Sequence, residues 1–166
     1  MNILGIDPGF GIIGFGFIRA DGHVHTAGKY GVIRTESGIP FEQRLLSIEQ
    51  DIVQLIENFK PDVMAIEELY FNQNITTGIQ VAEARGVLLL TAARAELPIY
   101  EYNPATIKMT VTGYGKAEKK QVIAMVRQLL RLPAPPKPDD AADALAVALC
   151  HAYHAPMAKA IQNTTS

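Results

Sequence analysis

The sequence has a single cysteine, no tryptophan and no apolar run approaching 18 residues. One cysteine excludes an internal disulfide and fits a reducing, cytoplasmic setting. Cys150 lies in an alanine-rich stretch, where a buried, inert thiol is expected. Without a long apolar run, no membrane-spanning helix is expected. The opening residues MNILGIDPGF contain no basic residue and place an aspartate at position 7, so they are not expected to be a secretory leader. Charged residues make up only 19% of the 166, and 48% are hydrophobic, enough for one folded core. A single domain over 1–155 is expected, with 156–166 as a flexible C-terminal tail.

Positive charge is scarce overall, since the net charge is −2, but it is unevenly spread. From Pro104 to Lys137 there are seven basic residues and one acid, so this segment carries +6 and the remainder −8. A basic contact surface joined to an acidic one is one reading, and a solvated helix face is the other.

Hydrophobic periodicity divides the chain into βββαβαβα order. Asn2 to Ile6 is a buried strand ending at Asp-Pro-Gly, and Ile12 to Ile18 is a second. Asp21-Gly22 marks a hairpin into a third strand, Val24 to Ile33. Phe41, Leu45, Ile48, Ile52, Leu55 and Phe59 recur at helical spacing, and Lys60-Pro61 closes that helix. Val63 to Ile66 is the fourth strand, and Leu97 to Tyr102 the fifth. Residues 77–95 form a helix apolar nearly all round, which predicts cover on two sides: its own sheet and a second copy of the chain. A short helix from Asn103-Pro104 to Val111 and another over Ala117–Leu130 follow. The four prolines of Leu132–Pro138 exclude helix there. The last helix is expected from about Asp140 to Tyr153. The fold class is therefore α/β, a mixed five-stranded sheet whose first three strands are antiparallel, flanked by helices.

Four acids stand out by position. Asp7 closes the first strand and Glu67 the fourth, while Asp140 and Asp143 are three residues apart and so share one helix face. If the first and fourth strands are neighbours, Asp7 and Glu67 emerge together at one sheet edge, and the last helix brings the other two over them. Four converging carboxylates stay ionised only beside cations, and an all-oxygen donor set suits Mg²⁺ or Mn²⁺. Two such ions can activate water for phosphodiester hydrolysis. Each acid also has a plainer reading. Asp7 before Pro-Gly fits a turn, Glu68 competes with Glu67, and Asp139 and Asp140 fit the cap and first turn of a helix. Asp143, inside Ala141-Ala142-Asp143-Ala144-Leu145-Ala146, is hardest to treat as incidental, because an unpaired carboxylate on a small-residue face is costly.

The chain resembles the RuvC crossover junction endodeoxyribonucleases, the bacterial Holliday junction resolvases. The matching stretches are Ile3-Leu4-Gly5-Ile6-Asp7-Pro8-Gly9, Pro61-Asp62, Ala65-Ile66-Glu67 and Glu83-Ala84-Arg85-Gly86-Val87. They continue with Glu101-Tyr102, Lys108, Ala117-Glu118-Lys119 and Asp140-Ala141-Ala142-Asp143-Ala144-Leu145-Ala146. They fall in order over nearly the whole length. The resemblance implies an RNase H-like fold, a homodimer, and Mg²⁺-dependent nicking with two ions per subunit, which Mn²⁺ can replace. It implies Asp7, Glu67, Asp140 and Asp143 as catalytic, metal-holding acids. Some relatives have histidine where this chain has Asp140. It implies base stacking at Tyr70, with Phe71 beside it, and DNA contacts at Lys108 and Lys119. Arg85, Lys116 and Lys120 join these as expected DNA-binding residues. Four-way junction DNA is the implied substrate, and the RuvA and RuvB branch-migration proteins the implied partners, in recombination and repair.

Two other classes share parts of this pattern. Actin-like kinases use a Gly-Ile-Asp-Pro-Gly type turn for phosphate but need two such domains and a second glycine-rich loop, which 166 residues do not supply. YqgF-type proteins share the fold and should lack the Asp140-to-Asp143 context. A non-enzymatic junction-binding protein would need the basic segment without the four acids.

Overall fold

The structure, a computed structural model, describes residues 1–70 and 75–164, with side chains as far as Ala155. β1 (Asn2–Asp7), β2 (Ile12–Asp21) and β3 (Val24–Arg34) form an antiparallel meander. Its hairpin turns at Gly22, whose φ of +58° suits a residue without a Cβ. α1 (Phe41–Phe59) buries Ile48 and Ile52 and ends on Lys60 in the left-handed conformation, directly before Pro61. β4 (Val63–Glu67) then enters parallel to β1, and β5 (Ile99–Tyr102) parallel to β4. The strand order is β3-β2-β1-β4-β5, so the two acid-tipped strands are adjacent. α2 (Ile75–Arg94) connects β4 to β5. α3 (Pro104–Thr112), α4 (Lys119–Leu129) and α5 (Asp139–Thr164) complete the chain.

Alternation along the strands separates two cores. Leu4, Ile6, Ile13, Phe15, Met64 and Ile66 face α1 and α2, with Ile48, Ile52, Ala84 and Leu88 against them. Ile3, Ile18, Val63 and Ala65 face α5, which α3 and α4 cover from outside. Because Asp7 follows Ile3 and Gly5 on the even spacing, and Glu67 follows Val63 and Ala65, both acids lie on the α5 face.

Element boundaries differ from sequence expectation by a few residues at several elements, β2, α4 and α5 among them. β2 runs on to Asp21, since its pairing with β3 continues to the hairpin. α4 starts at Lys119 because Glu118 is its extended cap, with its N–H bonded to Gln121 Oε1 at 2.8 Å. α5 starts at Asp139, so Asp139 is in the first turn and is not the cap. α5 also continues past Tyr153 to Thr164, where the alanine-rich sequence sustains helix despite Pro156. No helix among the described residues is long and apolar enough to cross a membrane.

Candidate active site

The four acids are brought together by glycine. β1 and β2 pair Gly5 with Gly16 and Asp7 with Gly14. A Cβ on Gly5 would stand 2.1 Å from the Ala144 carbonyl oxygen, and one on Gly14 would stand 1.9 Å from that of Asp140. No real atoms approach so closely. The first turns of α5 therefore rest backbone-on-backbone against the two strands. Ala144 and Ala148 meet Gly5 in this contact, and Ala141, Ala142 and Ala146 are buried along the same helix. The close approach delivers Asp140 and Asp143 to the sheet edge where β1 and β4 end. There Asp7 and Glu67 each lie one residue beyond the Ile6–Ile66 pair.

The electrostatics show how tightly the group is drawn. Burial pushes the Asp7 carboxyl up to about 8, and the charges of Asp143, Glu67 and Asp140, with a hydrogen bond to Glu67, add to it. Burial and Asp143 raise Glu67, while its bond to Asp7 and the nearby Lys108 and Lys119 pull it back. Asp143 is raised by burial against the pull of Lys119, whose Nζ lies 3.0 Å from Asp143 Oδ2. Burial alone would lower the Lys119 ammonium; its bond to Asp143, with Asp139 and Asp140 behind, holds it above its ordinary value.

Among the described residues no three His, Cys, Asp or Glu side chains close on one point as a finished ligand cage. The carboxyls instead partner one another and a lysine: Asp7 shares a hydrogen bond with Glu67, and Lys119 pairs with Asp143. The donor set, all oxygen, partly buried and excess in negative charge, fits a hard divalent cation, because only protons or cations can balance it. A cleft of about 240 Å³ opens beside the group, lined by Glu67, Asp143, Lys108, Lys119, Pro104 and Val122 among others. Asn103 caps α3 by accepting from the Thr106 N–H at 2.8 Å, and Pro104 starts it, which sets Lys108 one turn in.

The other expected contact residues divide. Lys116 and Lys120 are exposed, and Lys120 pairs with Glu118 at 3.2 Å. Tyr70 is 56% exposed, just past Glu67 and Glu68, and its hydroxyl donates to Glu68 Oε2 at 2.9 Å. Phe71 lies outside the described residues. Arg85 is turned inward: its Nε donates to the Glu67 main-chain oxygen at 3.2 Å and its Nη2 meets Glu101 Oε2 at 2.5 Å.

Sequence reasoning missed Gly14 and Gly16, although isolated glycines inside a strand are a recognised sign of close backbone approach. It noted Tyr102 only within the Glu101-Tyr102 match and did not pair it with His151, although the Tyr102 hydroxyl and His151 Nδ1 meet at 2.8 Å. Nothing in the linear spacing of residues 102 and 151 announces that pair.

A mixed sheet in this order, with acids at the ends of its two central parallel strands and on the helix across them, defines an RNase H-like nuclease domain. The chain belongs to the RuvC family of crossover junction endodeoxyribonucleases, whose family model matches residues 3–151. It is 50% identical over 152 residues to the crossover junction endodeoxyribonuclease RuvC of Brevibacillus brevis, covering 92% of each chain. Its likeness to that of Petrotoga mobilis is 52% over 151 residues, covering 91% of this chain and 93% of the other. Among solved structures it is similar to Thermus thermophilus RuvC, with a TM-score of 0.88 and 34% identity over 95% of this chain and 97% of that one. It also matches T. thermophilus RuvC in complex with Holliday junction substrate, with a TM-score of 0.90 and 33% identity over 95% and 96%.

Proposed function

We propose that this chain is a homodimeric resolvase that cuts four-way DNA junctions by paired, symmetric phosphodiester hydrolysis. The observation that carries the proposal is the meeting of Asp7, Glu67, Asp140 and Asp143 at one sheet edge, beside a cleft lined by Lys108 and Lys119. A relative of 33% identity that was solved with Holliday junction substrate supports the choice of DNA. Asp7, Glu67, Asp140 and Asp143 are the residues that would hold Mg²⁺, two ions per subunit, or Mn²⁺ in its place. Mg²⁺ bound there supplies Lewis acidity and lowers the pKa of bound water. A cation held there would favour the ionised Asp7 carboxylate and would compete with Lys119 for Asp143. Lys119 is then free to meet a phosphate, with Lys108, Lys116 and Lys120 adding salt-dependent hold on the backbone. Tyr70 offers an exposed ring on which a base at the junction can stack. The products are a 5′-phosphate and a 3′-hydroxyl.

The outward apolar stripe of α2 supports the dimer. Ile79 and Leu90 are about half exposed, and Gly86 and Ala93 fall on the same side. Covering this stripe with a second copy gives a two-fold interface and presents two identical sites to opposed strands. Work in homologous recombination and repair, in the cytoplasm and beside RuvA and RuvB, follows from the same reading.

The test uses a synthetic four-way junction and a linear duplex of the same sequence, with Mg²⁺ and with a chelator. Paired nicks at symmetric positions are expected on the junction alone and only with the metal. Equal cutting of the duplex, or undiminished cutting in chelator, would overturn the proposal.

A further inference from the structure

We propose that Arg85 is a positioning residue that holds the end of β4, and with it Glu67, in register with the helix bearing the outward apolar stripe. The proposal rests on the nuclease reading of the site. The Arg85 side chain is only 14% exposed and spans three elements. It leaves α2, donates from Nε to the Glu67 carbonyl at the end of β4, and pairs through Nη2 with Glu101 of β5. A guanidinium already shared between a carbonyl and a carboxylate, and largely out of solvent, is not free to take a phosphate. Lysine could not serve both partners, because only the planar fork presents two donors at fixed spacing.

The strand end is held from its other side as well. β5 pairs Glu101 with Ile66 and Tyr102 with Glu67. Successive strand residues point to opposite faces, so Glu101 reaches Arg85 on the α2 side while Tyr102 reaches His151 of α5. The Glu68 N–H also donates to the Tyr102 oxygen at 2.9 Å. Glu67 thus sits in a bracket whose α2 arm is Arg85. Gly86, the next residue, belongs to the outward stripe, so a shift of α2 at that stripe is carried through one side chain to the acid. This links pairing of two copies to the geometry of each site.

The experiment compares Arg85→Gln, Arg85→Lys, Glu101→Gln and the Arg85→Gln/Glu101→Gln double variant in the full chain. It measures single-turnover junction cleavage in Mg²⁺, and junction affinity against salt in chelator. Arg85→Gln and Glu101→Gln should each slow cleavage about 10–100-fold, since small misplacements of a reacting group carry such effects. Junction affinity and its salt dependence should be unchanged. The double variant should be no slower than the slower single one, because both belong to one network, and Arg85→Lys should recover only part of the rate. Glu101 is half exposed, so Glu101→Gln keeps the test valid if Arg85→Gln unfolds. A weaker affinity for Arg85→Gln with a salt slope flatter by about 0.9, beside parental cleavage by Glu101→Gln, would make Arg85 a phosphate contact and overturn the proposal. Glu67→Gln separates the two readings. If it is inactive while Arg85→Gln and Glu101→Gln cleave normally, only the positioning role fails. If Glu67→Gln cleaves normally, the site assignment fails and the positioning role with it.

Discussion

The two faces of the sheet are built from different materials. Toward α1 and α2 the core is of large side chains, Ile48, Ile52, Leu88 and Phe15 among them, and the helices stand off at side-chain distance. Toward α5, beside the acids, alanine meets glycine and the first turns of the helix lie with their backbone on the strands. The first face supplies most of the bulky apolar burial. The second gives up bulk for position, since backbone contact leaves Asp140 and Asp143 little freedom relative to Asp7 and Glu67. The acids gathered there repel one another, so the better-positioned face is also the electrostatically strained one.

Removing the acid at the centre of that face should have the largest effect. Asp7→Asn is expected to lower junction cleavage on the order of 1,000-fold, about 4 kcal/mol of barrier, while binding in chelator is kept or tightened. A variant that retains more than about a tenth of parental cleavage would show that Asp7 is not central.

Substitutions on the two faces sharpen the contrast. Gly14→Ala puts a methyl into the Asp140 carbonyl and must displace α5. Cleavage should fall on the order of 100-fold, with a stability cost of about 1–3 kcal/mol. Leu88→Ala leaves a hole on the opposite face and should cost about 2–5 kcal/mol, yet cleave within a few-fold of the parent below its melting temperature. Chemical denaturation paired with single-turnover rates checks both. Equal rate losses in the two variants would dissolve the distinction between the faces.

α2 permits a finer comparison, because its neighbouring leucines look opposite ways. Leu90 is 51% exposed, whereas Leu89 packs toward the α1 core. Leu90→Glu should give a folded monomer by sedimentation that binds junctions weakly and loses paired nicking. Leu89→Glu should instead destabilise the fold, by burying a charge in its own domain. A fully dimeric Leu90→Glu with normal paired nicks would place the interface elsewhere.

The smallest expected effect is on stability against pH in chelator. Asp7 is raised from its ordinary 3.8 to about 8. The folded chain therefore binds its proton more tightly than the unfolded chain. That stability is complete below the unfolded value and is lost as pH rises through the folded one. Glu67 and Asp143, also raised, act in the same direction. From about pH 5 to about pH 8.5 the parent should lose melting temperature relative to Asp7→Asn, by on the order of 5 °C. Parallel curves would mean that Asp7 ionises freely in the folded chain.

Much of this molecule is legible in the order of its residues. The short apolar runs at Asn2–Ile6 and Val63–Ile66, the helical spacing from Phe41 to Phe59, and the proline and glycine punctuation are local signals, and local physics sets what they form. That each strand stops at an acid, and that Asp140 and Asp143 share a helix face, is likewise written in spacing. The sequence also shows that α2 has little polar face. Which leucine looks outward depends on how the helix is rotated over the sheet, and only packing decides that. Arg85 reads on paper as one more cation for DNA. Its carbonyl and carboxylate partners lie 18 and 16 residues away, and only a parallel β4–β5 pair with α2 across it brings them within reach. Where Asp7 titrates is decided in the same way. An isolated aspartate has a carboxyl near 3.8, and this one is raised to about 8 because folding removes water from it and sets three other carboxylates beside it.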